Sequence, residues 1–415
     1  MMQKLFCRNF VLLILGQVTS LFGNFILRLA LSMYVLDATG SAAVFAGILS
    51  AAMVPTIMLS PLGGILADRA DRRTVMVVLD ALTGASVLCA AVFLRAENDI
   101  AVICVLMIVL SVLGAFETPT VQACIPSMLE GDNIMRGNAV VNQAASLSYL
   151  TAPVLGGVCY AALGLRSVML ASTVCFFVTA GFECFIRLER HAPEDGGSVA
   201  SVVRRDFAES MRYIFREQAV VSKMLFLTAV SRFFVMGITV VGLPFLVRNV
   251  LGLGAEYYGA AESALAVAAI LGSIAAGVLT GRIRICRLSI MLGSLGIFAV
   301  PAGIAFIVPA DPLARYIVNV ISFCGMEIVI SIFSIFAVSI IQQRTPNHLI
   351  GKVMAYTSTI TLCAQPLGQI VYGFLFDRFS TAVHIVLIPT GLLICAVGAL
   401  SANLFKSLEQ QSSKS

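Results

Sequence analysis

Residues 64–73 read Gly64-Ile65-Leu66-Ala67-Asp68-Arg69-Ala70-Asp71-Arg72-Arg73. A long apolar run ends in this short charged turn, and a second apolar run starts directly after it. A glycine at position 64 lets two helix backbones approach closely. Asp68 suits the free N–H groups and positive dipole end of a neighbouring helix start. Arg69, Arg72 and Arg73 stand where lipid ends, and such clusters mark the cytoplasmic side.

The turn has a weakened copy about 213 residues later, Gly277-Val-Leu-Thr-Gly281-Arg282-Ile-Arg284. Other pieces return at nearly the same offset. Thr39-Gly40-Ser41 with Gly47 is matched by Leu251-Gly252-Leu253 with Gly259. Asn133 and Gly137 are matched by Asn347 and Gly351, and Pro153 by Pro366. Two related halves in one apolar chain are a common plan for secondary transporters.

Composition sets the solvent. Of 415 residues, 59% are hydrophobic and 12% charged, far more apolar surface than a water-soluble domain needs. The chain reads as an all-α membrane protein with twelve spanning helices, expected near 9–36, 42–67, 74–95, 99–128, 137–163, 166–187, 219–248, 256–281, 286–308, 312–342, 350–376 and 381–405. The domains expected from this are an N-terminal six-helix bundle over 1–190, a cytoplasmic linker over 191–218, a C-terminal six-helix bundle over 219–405, and a disordered tail over 406–415. Lys4 and Arg8 precede the first apolar run in the manner of a signal peptide. That run continues to about Leu36 with no small-residue cleavage site, so it is read as a retained helix.

Charge gives the orientation. With an even number of spans both termini share a side, and that side collects 20 of the 27 Lys and Arg residues. Arg95, Arg166, Arg248, Arg315 and Arg378 fall on the other, and Arg28 and Arg232 within spans. Both termini are therefore expected in the cytoplasm of a bacterial plasma membrane. The net charge of +5 is spread over loops and gives no nucleic-acid signal. In the linker, Val199, Val203, Phe207, Met211 and Ile214 form a stripe at helical spacing, with Arg204, Arg205, Arg212 and Arg216 mostly off it. This suits either a helix on the anionic inner leaflet or a solvated linker helix.

The turn Gly64-x-x-x-Asp68-Arg69-x-x-Arg72-Arg73 resembles the signature loop of the major facilitator superfamily, with Asp71 where that motif usually has a second Gly. Phe116-Glu-Thr-Pro119-Thr-Val-Gln122-Ala123-Cys-Ile-Pro126 is similar to the fourth helix of the branch that includes macrolide-efflux proteins and the enterobactin exporter. The resemblance covers nearly the whole chain and implies two pseudo-symmetric six-helix bundles. It also implies a latch role for the loop, in which Asp68 and Arg72 hold helix 2 against helix 11 in one state and release it in the other. Ala152-Pro153-Val-Leu-Gly156-Gly157 is similar to an element typical of exporters in the superfamily. Proline removes a backbone donor and the glycines permit close contact, so this segment can bend. The arginine that proton-coupled exporters often carry on helix 4 is absent from Leu110-Ser-Val-Leu-Gly114-Ala-Phe-Glu117.

A charge buried in lipid costs roughly 3 kcal/mol or more, so charges inside spans mark function or pairing. Arg28, Glu117, Arg232 and Glu327 lie on helices 1, 4, 7 and 10, which the resemblance implies line a central cavity. Glu117 and Glu327 are candidate proton carriers, because a carboxyl in an apolar cavity can take up and release a proton in each cycle. The other reading is an ion pair that fixes helix packing. Asp80, near the signature loop, is read as part of the cytoplasmic charge cluster. Glu262 is read as structural or as an outer-gate residue. Asn142, Gln143, Gln365 and Gln369, on helices 5 and 11, are expected either to hydrogen-bond between the halves or touch substrate, or to serve as polar residues of helix packing. Phe22, Phe25, Met33, Phe116, Phe233, Phe234, Met236, Phe323 and Met326 are the expected adaptable cavity surface.

No G-x-S-x-G, H-E-x-x-H or Walker loop is present, and three histidines offer little for metal chemistry. No enzyme activity, cofactor or metal is expected. The eleven cysteines form no C-x-x-C pair and read as small buried hydrophobes. The expected activity is export of small amphipathic organic compounds, of macrolide or siderophore type, by a monomer in exchange for protons or sodium. A lysophospholipid flippase, a small-molecule importer, and a non-transporting sensor or scaffold are the alternatives.

Overall fold

The computed structural model describes residues 5–95, 97–187, 214, 218–279, 287–346 and 349–412. The linker stripe and the copied turn at 280–286 fall almost wholly outside these residues. The fold is all-helical among them. Its helices are α1 Arg8–Thr39, α2 Ala42–Arg69, α3 Arg72–Phe93 and α4 Asp99–Met128. The helical stretch Asp132–Cys184 follows, broken at Gly164, whose φ of 73° and ψ of 172° leave the helical region. Its arms, residues 132–163 and 165–184, are α5 and α6. Glycine adopts that backbone readily, and side-chain-bearing residues rarely do. The sequence places a helix boundary at this same point.

In the second half, α7 starts as Ala219–Met236 and continues through the wide π-helical turns Gly237–Gly242 and Leu246–Val250. Then come α8 Ala255–Leu279, α9 Leu288–Ile304, α10 Pro312–Arg344, α11 Ile350–Arg378 and α12 His384–Ser412. Helix α12 runs on past its expected end at position 405, so the backbone of 406–412, read from sequence as tail, is helical. That segment holds no Gly or Pro to stop it. Among the described residues, ten stretches are long and apolar enough to cross a membrane, the broken Asp132–Cys184 counting as one, and Leu288–Ile304 is a shorter apolar helix.

Two compact units result. The first comprises Met1–Gly40, Ile48–Asp195 and Gly254–Ser263, and the second Ser41–Gly47, Gly196–Leu253 and Ala264–Ser415. The start of α2 thus groups with the second unit and the start of α8 with the first. Both helix starts follow a left-handed glycine, Gly40 at φ 64° and Gly252 at φ 67°, which are the pair matched in the sequence repeat. Gly40 also closes α1, its N–H donating to the Leu36 carbonyl at 2.8 Å.

Inside each unit, small residues bring helices together, as expected where lipid removes the hydrophobic drive between helices. In the first, α1 lies along α5 and α6: a Cβ on Gly156 would stand 3.2 Å from Ile26 Cα, and one on Gly23 3.0 Å from Cys175 Cβ. In the second, α9 and α12 meet so closely that a Cβ on Gly296 would fall 2.1 Å from the Gly391 carbonyl oxygen. Large apolar side chains such as Met58, Phe226 and Leu400 are exposed, as lipid-facing residues are.

Candidate functional site

The signature turn is built from helix ends. Asp71 is the N-cap of α3; its carboxylate accepts the Thr74 N–H at 3.3 Å and the Thr74 hydroxyl. That explains an Asp where the superfamily motif has Gly, since a short acceptor here satisfies an otherwise free helix amide. The Arg72 guanidinium donates to the Ala123 carbonyl at 2.9 Å and to the Ser127 hydroxyl, both on α4. Arg73 donates to the Cys184 carbonyl at the end of α6. Both arginines thus bind carbonyls within the first unit. Of Gly64, Asp68 and Arg69 only the helical backbone is described, so their part in a latch lies outside the described contacts. The close backbone approach expected of Gly64 is seen one residue earlier: a Cβ on Gly63 would stand 2.3 Å from the Ala115 carbonyl oxygen of α4.

The four charged residues expected on the cavity helices form two neighbouring pairs, one per unit. Arg28 of α1 acts electrostatically on Glu117 of α4, and Arg232 of α7 on Glu327 of α10. Arg28 is exposed, and its Nε donates to Asn24 Oδ1 at 2.7 Å, a partner one turn earlier that sequence reading missed. Glu117, Arg232 and Glu327 are half-buried. Beside Arg28, the Phe25 and Tyr149 rings stand 4.1 Å apart between centroids.

Asp80 departs from its expected place in the cytoplasmic charge cluster. It is 1% exposed, and its Oδ1 accepts the Ser20 hydroxyl of α1 at 3.1 Å. The same hydroxyl lies 3.4 Å from Glu117 Oε1. A third carboxyl, Glu183 of α6, is also 1% exposed and within hydrogen-bonding reach of Asp80. Two acidic side chains, from α3 and α4, therefore share one serine hydroxyl, and a third, from α6, reaches the first of them. Sequence reading separated them because Asp80 shares a face of α3 with Arg72 and Arg73, two turns away, and reads as one of those cytoplasmic charges. Glu183 was missed altogether, although a carboxylate inside an expected span is the signal that would have found it.

The exporter-like segment makes close contacts. Pro153, Gly156 and Gly157 are buried. A Cβ on Gly157 would lie 2.6 Å from the Ala255 carbonyl oxygen at the start of α8. Four residues on, a Cβ on Gly259 would lie 2.2 Å from the Pro153 carbonyl oxygen. Near this contact, Tyr258 donates its hydroxyl to Glu262, which satisfies that half-buried carboxylate within its own helix. Asn142 is exposed and Gln365 half-buried, whereas Gln369 is buried at 1%. Phe22, Phe25, Phe116, Phe233, Phe234 and Met236 keep some open surface. Met33, Phe323 and Met326 have none, so they are core residues here rather than available lining. Their helices are apolar on every side, and hydropathy alone does not tell an inward face from an open one.

The family model described as Major Facilitator Superfamily matches residues 13–362, most of the chain. The chain belongs to this superfamily. It is a multi-pass membrane transporter and not an enzyme. Among similar proteins, macrolide efflux protein A of Streptococcus pyogenes is 22% identical over 386 residues, covering 92% of both chains. Multidrug efflux pump Tap of Mycolicibacterium fortuitum is 24% identical over 412 residues, covering 95% of both. Among solved structures, a bacterial homologue of the iron transporter ferroportin has a TM-score of 0.71 at 16% identity, covering 96% of this chain and 100% of that one. A peptide transporter of the POT family has a TM-score of 0.73 at 15% identity, covering 97% and 95%. At these identities the structural likeness concerns the fold. The transporter's helices were thus legible from sequence, and its buried acidic cluster was not.

Proposed function

We propose that this transporter exports amphipathic organic compounds across the bacterial plasma membrane by alternating access, as a monomer, in exchange for protons. The observation that carries the reading is similarity along nearly the whole chain to two efflux pumps, one named for macrolides and one for multiple drugs. Residues 1–190 and 219–405 are the two bundles of the cycle, and 191–218 is the cytoplasmic linker. The arginine distribution puts both termini in the cytoplasm. Glu117 and Glu327 carry protons, and each has an arginine, Arg28 or Arg232, as its electrostatic neighbour. Phe25 and Tyr149 offer a stacking face for rings, and exposed Arg28 a positive charge for acidic or polar groups of the compound. Pro153, Gly156 and Gly157 form the bend on which α5 pivots, and Asp68 with Arg72 latches the cytoplasmic side. Asn142 and Gln365 contribute polar contacts to substrate.

The test uses energised inverted membrane vesicles. Macrolides, cationic dyes, siderophores and lysolipids are added one at a time to wild type, Glu117→Gln and Glu327→Gln, and proton release is followed with a pH-sensitive dye. Release that follows one class of compound and is lost in either variant is the expected result. A flat response to every compound, in proton and in sodium gradients alike, sinks the export reading.

A further inference from the structure

The cluster around Ser20 does more than brace helices. Two carboxyls, Asp80 and Glu117, meet the serine hydroxyl, which has one proton to give, and Glu183 stands behind Asp80. If Ser20 donates to Asp80, contact with Glu117 needs a proton on Glu117, and the reverse holds equally. Asp80 and Glu183 reach each other as well, and ionised carboxylates only accept, so that contact requires a proton between them. Two further atoms, Asp80 Oδ2 and Glu183 Oε2, are fully buried and meet no donor among the described residues. Each is a buried acceptor that a proton on either carboxyl would satisfy.

No basic side chain takes that role among the described residues. From α1, Arg28 acts on Glu117 and bonds Asn24. From α3, Arg72 turns to Ala123 and Ser127 of α4, and Arg73 to the Cys184 carbonyl of α6. Cys184 follows Glu183 and is exposed. The Glu183 side chain itself lies against α1, where a Cβ on Gly16 would stand 3.8 Å from its Cγ.

We propose that Asp80 and Glu183 hold an exchangeable proton inside the N-terminal bundle and that Ser20 relays it to Glu117. The site lies behind the cavity carboxyl and rests on the proton-exchange reading given above. In the transfer, the carboxyl O–H of the Asp80–Glu183 pair breaks and its proton bonds to Ser20 Oγ. The proton that Ser20 held passes to Glu117 Oε1. Glu117 becomes neutral, the pair gains one negative charge, and serine is restored with its hydrogen bond reversed. Arg28 is the electrostatic neighbour of the Glu117 carboxylate that release restores. A stored proton one hydroxyl away lets Glu117 reload without direct access to water.

The experiment labels wild-type protein, purified in lipid nanodiscs, with dicyclohexylcarbodiimide, an apolar reagent that modifies protonated carboxyls in membranes. Adducts are located by mass spectrometry over a pH series in choline chloride and in sodium chloride. The expected result is an adduct on Asp80 or Glu183 at neutral pH, equal in both salts, that falls about tenfold per pH unit once the pair has lost its proton. Absence of any adduct on either residue at neutral pH overturns the proposal. Suppression by sodium overturns it too, since the cluster would then be a sodium site. Labelling needs no transported compound, so it stands or falls apart from the export reading. Ser20→Ala, a small truncation, tests the relay: the adduct should persist while proton release in vesicles slows at least about fivefold. Unchanged release in Ser20→Ala removes the serine from the path.

Discussion

Asp377, near the end of α11, accepts the backbone N–H of Ala42 at 2.6 Å. The same carboxylate accepts the Ala43 N–H at 3.1 Å and the Ser41 hydroxyl at 2.5 Å. Ser41 in turn accepts the Val44 N–H at 3.1 Å, as an ordinary N-cap does. The first turn of α2 is therefore capped twice, once locally and once by a residue 335 positions away in sequence. The remote cap also sets a negative charge at the positive end of the helix.

Replacing that charge should loosen the helix start without removing the local cap. Asp377→Asn keeps one acceptor and loses the charge-assisted bonds, at a cost of about 1–3 kcal/mol. Amide exchange in a peptide spanning residues 42–50 should speed up, while exchange in α9 stays as in wild type. Unchanged exchange at 42–50 would show that Ser41 alone holds the turn.

The glycine contacts between α5 and the start of α8 give a second expectation. Gly259→Ala would set a Cβ 2.2 Å from a backbone carbonyl oxygen, and Gly157→Ala one at 2.6 Å. Backbone cannot swing aside as a long side chain does, so each should cost about 1–3 kcal/mol. Gly114→Ala is the control, because a Cβ there meets nothing within 4 Å, and losing a helical glycine should stabilise by up to about 1 kcal/mol. The readout is the monodisperse fraction after a temperature series in detergent. Equal midpoints for all three variants would contradict the packing account.

Which parts of this were legible follows from their physics. Hydropathy gave the spans because lipid imposes length and composition on every crossing helix. Turn glycines were legible too: the repeated Gly40 and Gly252 both sit at positive φ, and Gly164 breaks α5 from α6 where the sequence divides them. Asp71 looked like a departure from a motif and is an N-cap, which its neighbour Thr74 makes plain only in three dimensions. Rotation about the helix axis stayed hidden. The burial of Met33 and Phe323 was not legible because apolar residues all round their helices leave no stripe to read, and Asp80 was misplaced because it shares a face with Arg72 and Arg73. Contacts as remote as Asp377 with Ala42 have no local signature at all.

Asp71 supplies a third prediction. Asp71→Ala removes the side-chain acceptor for Thr74 and should cost about 1 kcal/mol at the start of α3, whereas Asp71→Asn should recover most of it. Thermal midpoints in detergent order the variants as wild type, then Asn, then Ala. If Asn falls as low as Ala, the carboxylate charge and not the cap is what matters.

The paired charges inside the spans give the last expectation. Arg28 with Glu117, and Arg232 with Glu327, are electrostatic neighbours within their own units. If each pair acts together in the transport cycle, removing either member disables the same step. Arg28→Ala and Glu117→Gln should each lower the initial rate of ethidium efflux about tenfold or more, and the double variant should be no slower than the worse single. The same non-additivity, corresponding to coupling of about 0.5–3 kcal/mol, is expected for Arg232→Ala with Glu327→Gln. Combining Arg28→Ala with Arg232→Ala crosses the two pairs, and the effects should then multiply. Rates are normalised to the amount of each variant in the membrane, so a folding defect does not pass for a transport defect. Multiplying effects within a pair would mean that the arginine and the glutamate serve separate steps, and the charge-pair account of proton loading would fail.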